Sequence, residues 1–250
     1  MTDPSVAWDR VAAAYATSPI HAAGEDLGWL AEALAPEPGE AILDIGCGAG
    51  HAGFAVAARG AVITAVDTSE RMLETARLLA EERGLSGYTA VRADGAELPF
   101  GDGSFDGVVS RYSAHHWPDV GAALHEAARV VRPGGRVVVV DTVVPDAPAL
   151  DSLVNALELL RDPTHGRNLR IGEWRSLMAE AGLSVDGERR WMIPLETVSW
   201  FARMQTEAWR ADAACALLRA AAPEAVEALD IDGDRAWSVP AALFASRRST

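Results

Sequence analysis

Short apolar runs alternate along the chain with apolar stripes at helical spacing. The runs have the length of buried strands, and the stripe that begins at Met72 has the spacing of one helix face. This alternation is typical of a sheet covered by helices, and it predicts an α/β fold. The apolar runs are Ala41–Ile45, Ala61–Val66, Tyr88–Arg92 and Val137–Val140.

Local signals place the ends of several helices. Asp3–Pro4 is typical of a helix start, with a carboxylate at the N-cap and proline at the first position. Ser69 and Asp119 are predicted N-caps, and Gly84 is predicted to end the helix that Ser69 begins. Further helices are predicted over 145–162, 172–181 and 194–222, the last interrupted near Thr206, and a turn is predicted over 132–136. The 250 residues contain no linker, charge block or internal repeat, so we expect one domain.

One turn carries three alternating glycines. Residues 43–50 read Leu-Asp-Ile-Gly-Cys-Gly-Ala-Gly and continue the apolar run that begins at Ala41. Gly46, Gly48 and Gly50 allow a tight turn and a close approach of the backbone to a ligand. A helix-like segment over 52–59 comes next. A strand, a glycine turn and a helix N-terminus in this order predict a nucleotide-binding cradle.

Asp44 decides which nucleotide fits this cradle. Residues 48–53 also satisfy the G-x-G-x-x-G pattern of dinucleotide sites, so NAD has to be considered. A pyrophosphate beside Asp44 would place like charges about 4 Å apart, which is strongly unfavourable in a partly buried site. S-adenosylmethionine (SAM) carries no phosphate and offers an ammonium group, which Asp44 would attract.

Residues 43–50 closely resemble the first motif of class I SAM-dependent methyltransferases. The resemblance covers nearly the whole chain and looks closest to the bacterial ubiquinone and menaquinone C-methyltransferase group, but the segment after the fourth strand departs from the quinone enzymes. It implies a doubly wound, Rossmann-like sheet of seven mostly parallel strands with an antiparallel last strand. It also implies N-terminal lid helices over 1–36, a SAM-binding core over 37–145, and a cap over 146–250 that includes strands at 185–193 and 236–245.

The resemblance and the chemistry of the motifs together predict the cofactor contacts. Asp67, at the end of the second strand, suits the two hydroxyl donors of a ribose. In the family, residues that match Met72 and Asp94 contact the adenine, and the residue that matches Ser110 supports the methionine moiety. Tyr15 is predicted either to contact the methionine carboxylate or to anchor its helix on the core. The full predicted set is Tyr15, Asp44, Gly46, Cys47, Gly48, Gly50, His51, Asp67, Thr68, Met72, Asp94, Gly95 and Ser110.

Histidines supply the candidate bases. Methyl transfer needs mainly alignment of the acceptor, and it needs a general base only where the acceptor carries a proton that it does not otherwise lose. His115 and His116 follow the fourth strand on the carboxyl side of the sheet, and His116 and His165 are the candidate catalytic residues. A structural role is the alternative, and it is favoured for His115. Arginines around His165 are predicted to hold an anionic acceptor or to fix the cap, whereas His21 and His125 are predicted to be incidental.

Composition excludes several functions. The formal net charge of −14 disfavours nucleic acid and anionic membranes as partners. All 22 basic residues are arginines, which excludes a Walker lysine, a Schiff-base lysine and the Tyr-Lys pair of short-chain dehydrogenases. The histidines lack metal-ligand spacing, so no metal is expected. No apolar run has the ~18 residues of a membrane span.

Cysteine usage and the N-terminal sequence indicate a compartment. Cys47 and Cys215 are too few for a disulfide framework and are expected to stay reduced. Residues 1–10 lack the basic and apolar regions of a signal peptide. We therefore expect a cytoplasmic protein.

The expected function is methyl transfer from SAM to a small-molecule acceptor, with S-adenosylhomocysteine (SAH) as product. Tryptophans concentrated after residue 170 are predicted to line a pocket for an apolar or aromatic acceptor, or simply to pack the cap. The alternatives are an NAD-dependent oxidoreductase, a macromolecular methyltransferase, and a SAM-binding protein that transfers no methyl group. The sequence specifies neither the acceptor atom nor an oligomeric state. The tryptophans are Trp174, Trp191, Trp200, Trp209 and Trp237.

Overall fold

The structure, a computed structural model, describes residues 8–12, 16 and 18–249. The predicted helix start at Asp3–Pro4 and the predicted cofactor contact Tyr15 lie outside these residues. A sheet runs through the described part of the chain. Its strands are β1 (Ala41–Ile45), β2 (Val62–Asp67), β3 (Tyr88–Arg92), β4 (Phe105–Arg111), β5 (Val131–Val144), β6 (Leu169–Arg170), β7 (Leu183–Glu196) and β8 (Ala236–Arg248).

The strand order is that of a doubly wound sheet. Seven strands are hydrogen-bonded in the order β3-β2-β1-β4-β5-β8-β7, and the short strand β6 pairs with the end of β5. Strands β1 to β5 are parallel, and β8 is antiparallel to β5 and β7. The predicted sheet is confirmed, with β6 as an addition. The order reverses between β1 and β4, which is the switch point where open α/β sheets bind ligands.

Helices connect the strands. In the described residues they are α1 (Pro19–Ala22), α2 (Asp26–Leu34), α3 (His51–Ala57), α4 (Glu70–Glu82), α5 (Val120–Val130), α6 (Pro148–Arg161), α7 (Ile171–Glu180), α8 (Thr197–Met204), α9 (Ala208–Arg219) and α10 (Pro223–Ala228). The predicted caps are confirmed: the Met72 N–H donates to the Ser69 hydroxyl at the start of α4, and the Ala122 N–H donates to Asp119 at the start of α5. None of the helices described here is long and apolar enough to cross a membrane.

Two predicted boundaries are wrong. The predicted turn over 132–136 falls within β5, where Phe105 pairs with Val131 and Gly107 with Arg136, so residues 132–135 loop out while pairing continues on both sides. The predicted helix over 194–222 starts later, because β7 keeps its pairing with β8 as far as Glu196. Pro194 is tolerated in β7 because this strand lies at the edge of the sheet.

Alternate residues of the buried strands reach opposite faces of the sheet. Leu43 packs in a cluster with Trp174 and Phe244, whereas its neighbour Ile42 packs in a cluster with Leu30. Because β1 is buried on both faces, it holds the glycine turn that follows it on a rigid support.

A buried ion pair ties the N-terminal helices to the end of β4. The Arg111 guanidinium donates to both carboxylate oxygens of Asp26, with Nε–Oδ2 at 2.5 Å and Nη2–Oδ1 at 3.1 Å. The two side chains are only 4% and 6% exposed. Arg111 also donates to the His21 carbonyl (2.9 Å). A pair held out of water depends on both partners, because each charge loses its hydration on burial.

We predict that Asp26→Ala destabilises the protein by about 3–5 kcal/mol, because it leaves a buried guanidinium without its carboxylate. Urea unfolding measures this loss. Asp232→Ala is the matched control, because Asp232 pairs with Arg235 at the exposed surface, where an ion pair contributes little. A loss in Asp26→Ala no greater than in Asp232→Ala would contradict the anchoring role.

Candidate active site

A cavity of about 300 Å³ lies at the switch point of the sheet, and we call it the first cavity. Its wall is formed by the turn after β1, the end of β2 and the segments after β3 and β4. The structure brings most of the predicted cofactor contacts together here, and His116 with them. The predicted residues on the wall are Asp44, Gly46, Cys47, Gly48, His51, Asp67, Thr68, Met72, Asp94, Gly95 and His116.

Two predicted cofactor contacts are not on this wall. A Cβ added to Gly50 would lie 2.6 Å from Cζ of Phe54 and 2.8 Å from the Tyr88 hydroxyl, so this glycine is required for packing. Ser110 is buried and precedes the true end of β4 at Arg111. The cofactor contacts predicted for Gly50 and Ser110 stay predictions.

Asp44 presents one free carboxylate oxygen in a buried position. Its Oδ2 accepts a hydrogen bond from the Gly53 N–H (2.9 Å), whereas Oδ1 has no hydrogen-bond partner within the described residues. The side chain is fully buried. Burial raises the pKa of Asp44 to about 7, and the hydrogen bond from Gly53 opposes this rise. A buried carboxylate in this state is strongly stabilised by a neighbouring cation.

Asp67 shapes the turn from the neighbouring strand. Its Oδ2 accepts a hydrogen bond from the Gly48 N–H and its Oδ1 accepts one from the Ser69 N–H, each at 2.9 Å. Burial raises the pKa of Asp67, and these hydrogen bonds oppose the rise. Each carboxylate oxygen keeps a further lone pair that can accept from a ligand hydroxyl.

The backbone N–H groups of the glycine turn are largely occupied. Asp67 takes the Gly48 N–H and Asp44 takes the Gly53 N–H. The Cys47 N–H donates to the Val66 carbonyl (2.9 Å) and the Gly50 N–H to the Cys47 carbonyl (2.8 Å). A phosphate-binding turn instead directs such groups at the ligand. This turn therefore offers carboxylate oxygens where a dinucleotide site offers donors.

Gly46 brings the turn against the segment after β4. Its φ is 66°, and an added Cβ would lie 1.8 Å from Oγ of Ser113. That hydroxyl accepts a hydrogen bond from Trp117 Nε1 (3.0 Å). Only glycine fits here, because both the backbone conformation and the contact exclude a side chain.

A second cavity of about 60 Å³ adjoins the first. Trp8, His21, Tyr112 and His116 contribute to the walls of both cavities. The remainder of the second wall combines apolar and polar side chains. These are His115, Thr142, Glu158, Arg161, Ile193, Leu195, Trp200, Arg203 and Val239.

Three histidines lie together beside this second cavity. The rings of His115 and His116 have centroids 4.2 Å apart, and those of His115 and His165 are 5.7 Å apart. Burial disfavours the charged form of His115, but its contact with the Asp141 carboxylate outweighs this, and the net effect is a raised pKa. Burial and the positive groups nearby hold the pKa of His116 well below its usual value, and they lower that of His165 to about 3.

The two predicted catalytic residues differ in position. His116 faces both cavities, with its ring against the edge of Trp8. His165, in the loop after α6, is on neither cavity wall, and its Nε2 lies 3.1 Å from Oδ1 of Asn155 on α6. Its role as a base stays a prediction.

The arginines around His165 make ion pairs within the cap. Arg167 pairs with Asp151 and Glu173, and Arg170 pairs with Asp151 (2.6 Å). Arg161 lies 3.5 Å from Glu158 and donates to the Trp200 carbonyl (3.2 Å). Arg167 and Arg170 are thus paired with carboxylates of the cap, whereas Arg161 also lines the second cavity.

Most of the C-terminal tryptophans pack the core. Trp174 and Trp237 are buried, Trp191 contacts Trp29, and Trp209 is 60% exposed. Trp200 combines both predicted roles, because it packs against Trp237 and also lines the second cavity.

Sequence reasoning missed several wall residues. His21 was predicted to be incidental, but it lines both cavities, which corrects that prediction. Tyr112 and Trp117 belong to the segment after β4, whose position at the carboxyl edge of the sheet was a usable signal. Glu158 and Arg203 carry no motif, and only the folding of the cap brings them to the second cavity.

Known proteins resemble this chain over most of its length. A family model described as "Methyltransferase domain" matches residues 43–139. The uncharacterized protein YafE of Escherichia coli (strain K12) is 45% identical over 157 residues, 63% of this chain and 76% of YafE. The uncharacterized methyltransferase YcgJ of Bacillus subtilis (strain 168) is 36% identical over 196 residues, 78% of each protein.

Structural similarity extends the match. The crystal structure of YcgJ superposes with a TM-score of 0.86 at 31% identity, covering 90% of this chain and 99% of YcgJ. The demethylmenaquinone methyltransferase of Clavibacter sepedonicus is 37% identical over 150 residues, 58% of this chain and 60% of that protein. By sequence and by fold, this chain belongs to the methyltransferase domain family, the class I SAM-dependent methyltransferases.

Proposed function

We propose that the protein binds SAM in the first cavity and transfers its methyl group to a small molecule. The observation that carries this proposal is the free Oδ1 of Asp44, a buried carboxylate oxygen with no hydrogen-bond partner among the described residues. An ammonium group of a ligand satisfies that oxygen and offsets the cost of burying the charge.

The residues of the first cavity fit SAM. Asp44 would hold the ammonium group, and the unused lone pairs of Asp67 would accept from the ribose hydroxyls. Met72, buried at the start of α4, would supply an apolar surface for the adenine. Bound SAM supplies a methyl group on a positively charged sulfur. The protein's own contribution is to align an acceptor with that group and to exclude water.

The same geometry disfavours a dinucleotide. The N–H groups of Gly48 and Gly53 already donate to Asp67 and Asp44, and a pyrophosphate would have to displace those bonds. It would also meet two carboxylates on the cavity wall. Like charges at such short range repel strongly where water is scarce.

A small-molecule acceptor suits the second cavity, which is lined by side chains of the N-terminal helices, the sheet and the cap. The net charge of −14 disfavours nucleic acid as the acceptor. The relative from Clavibacter sepedonicus is named for a small-molecule substrate, which supports this class. The described thiols, Cys47 and Cys215, are unpaired, in keeping with a role in the reducing cytoplasm. We propose one methyltransferase domain over 1–250, with a lid (1–36), a core (37–145) and a cap (146–250).

We predict that Asp67→Ala weakens SAH binding by about 10-fold or more, because charge-assisted hydrogen bonds to the ribose contribute about 1.5–3 kcal/mol each. Calorimetric titration with SAH measures this affinity. The same titration with NAD tests the dinucleotide alternative. Asp146→Ala is the control, because Asp146 is exposed and off the cavity wall. SAH binding that is unchanged in folded Asp67→Ala, or micromolar NAD binding by the unaltered protein, would contradict the proposal.

A second prediction concerns the pH dependence of SAH affinity. The ammonium of SAH prefers ionised Asp44, whose pKa of about 7 in the free protein means that protons compete with the ligand at low pH. Affinity should therefore be fully present above about pH 8 and fall about 30-fold between pH 8 and pH 5.5, as linkage requires for one carboxylate. Titrations across this range measure it. Asp44→Asn should bind more weakly and with a nearly flat pH profile, so a profile as steep as that of the unaltered protein would assign the effect to another group.

A further inference from the structure

We propose that the second cavity binds a small phenolic acceptor and that Nε2 of His115, oriented by Asp141, removes its hydroxyl proton. This inference rests on the proposed function of the first cavity. It differs from the sequence-based expectation, which favoured a structural role for His115 and named His116 as a candidate base.

The His115 ring is held in the tautomer that a base requires. Its Nδ1 lies 2.5 Å from Oδ1 of Asp141, and an ionised carboxylate only accepts hydrogen bonds, so Nδ1 carries the proton. The lone pair of the neutral ring is then on Nε2. This nitrogen makes no hydrogen bond within the described part of the chain, and the ring lines the second cavity. His115 therefore presents a free proton acceptor to that cavity.

Asp141 is itself fixed in place. Its Oδ2 accepts a hydrogen bond from the His115 N–H (3.1 Å), and its Oδ1 accepts one from the Thr142 N–H (2.7 Å). The carboxylate is buried in the middle of the sheet, on β5. Because the backbone holds both oxygens, Asp141 acts as a positioning residue that sets the orientation of the imidazole.

His116 lacks this arrangement. Its Nδ1 donates to the Thr164 carbonyl (3.3 Å), and its Nε2 lies 3.9 Å from Oδ2 of Asp162. Both nitrogens thus lie near polar groups at the end of α6 and in the loop that follows it. The ring of His116 forms part of the boundary between the two cavities. The proposed base is its neighbour, His115.

The second cavity has the wall of an aromatic pocket with a polar side. Trp8, Tyr112 and Trp200 offer ring surfaces, and Ile193 and Val239 add apolar contacts. His115 and Thr142 supply the polar side next to Asp141, and Glu158, Arg161 and Arg203 add charged groups to the wall. A flat ring that carries one hydroxyl can place the ring against the aromatic and apolar side chains and the hydroxyl beside His115. A phenol also releases its proton to an imidazole far more readily than an aliphatic alcohol does.

The proton balance of the step is simple. The acceptor O–H bond breaks with its electron pair on oxygen, and the proton bonds to Nε2 of His115. The acceptor oxygen forms a bond to the methyl carbon as the methyl–sulfur bond breaks with its electron pair on sulfur. His115 then releases the proton to water, and the product is the methyl ether.

The protonation of His115 depends on charged and titratable groups from several elements. Asp141 lies on β5, and the neighbouring residue His116 lies on the same 3₁₀ turn as His115. The other groups come from the segment after β4, the N-terminal helices, α6, the loop after it and α8. They are Tyr112, His21, Glu158, Arg161, Asp162, His165 and Arg203.

The first test uses 4-nitrophenol as the probe, because its phenolate is coloured. In SAH-loaded protein we expect the bound probe to ionise at a lower pH than in buffer, since its proton passes to His115. His115→Gln should bind SAH normally and abolish this shift, because the glutamine amide can still donate to Asp141 but cannot take a proton. His125→Gln is the control, because His125 is exposed and off both cavity walls, and it should keep the shift.

The second test follows methyl transfer to the same probe as loss of its colour. His115→Gln should lower the rate by about 10²- to 10⁴-fold, the usual effect of removing a positioned base. In the unaltered protein the rate should rise with pH through the titration of His115 observed by NMR. Asp141→Asn should move the midpoint of the pH–rate profile and the midpoint of the His115 titration to lower pH, because it removes the carboxylate that raises the pKa of His115. Asp141→Asn also tests the pair if His115→Gln fails to fold.

The outcomes separate this inference from the proposed function. Normal SAH binding combined with no effect of the unaltered protein on the probe overturns the phenolic acceptor site. A shift and a rate that persist in His115→Gln overturn the role of His115 as the base. Absence of SAH binding to the unaltered protein overturns the proposed function and this inference together.

Discussion

Two carboxylates at the ends of adjacent parallel strands determine what this site can bind. Asp44 on β1 and Asp67 on β2 each take a backbone N–H from the glycine-rich segment that follows β1. The related dinucleotide-binding geometry uses such N–H groups for phosphate. Here the groups are satisfied internally, and the segment presents negative charge to the cavity. The proposed preference for a cation over a phosphate thus rests on how the turn itself is held together.

The carboxylates can have this effect only because the turn is held rigidly. β1 is buried on both faces, and Gly46 is in contact with the Ser113 hydroxyl of the segment after β4. The same end of β4 carries Arg111, whose buried pair with Asp26 holds α2 against the sheet. One edge of the sheet therefore positions the first cavity, the boundary with the second cavity and the helices beside them. We therefore expect a substitution of Arg111 to disturb both cavities and these helices, although its guanidinium is paired with Asp26.

Local signals in the sequence were enough for the sheet and for much of the first cavity. The glycine turn, Asp67 and the Ser69 cap depend on residues close together in the chain, so their spacing carries the information. Gly50 shows the limit of such reasoning, because the motif includes it for a packing reason that becomes visible only beside Phe54 and Tyr88. The wall of the second cavity could not be predicted. Glu158 and Arg203 reach it from cap helices whose placement depends on long-range packing.

The adjacent histidines show why sequence position alone could not identify a base. His115 and His116 share a 3₁₀ turn, both are largely buried, and burial alone would lower the pKa of each. Their environments differ in the distance to a carboxylate, which is 2.5 Å from His115 to Asp141 and 3.9 Å from His116 to Asp162, and in the positive groups that act on His116. At the shorter distance a hydrogen bond fixes the tautomer and stabilises the protonated ring, whereas at the longer distance burial dominates. Asp141 lies on β5, where it contacts the ring of His115 and not that of His116. This placement therefore gives the two histidines different acid–base properties.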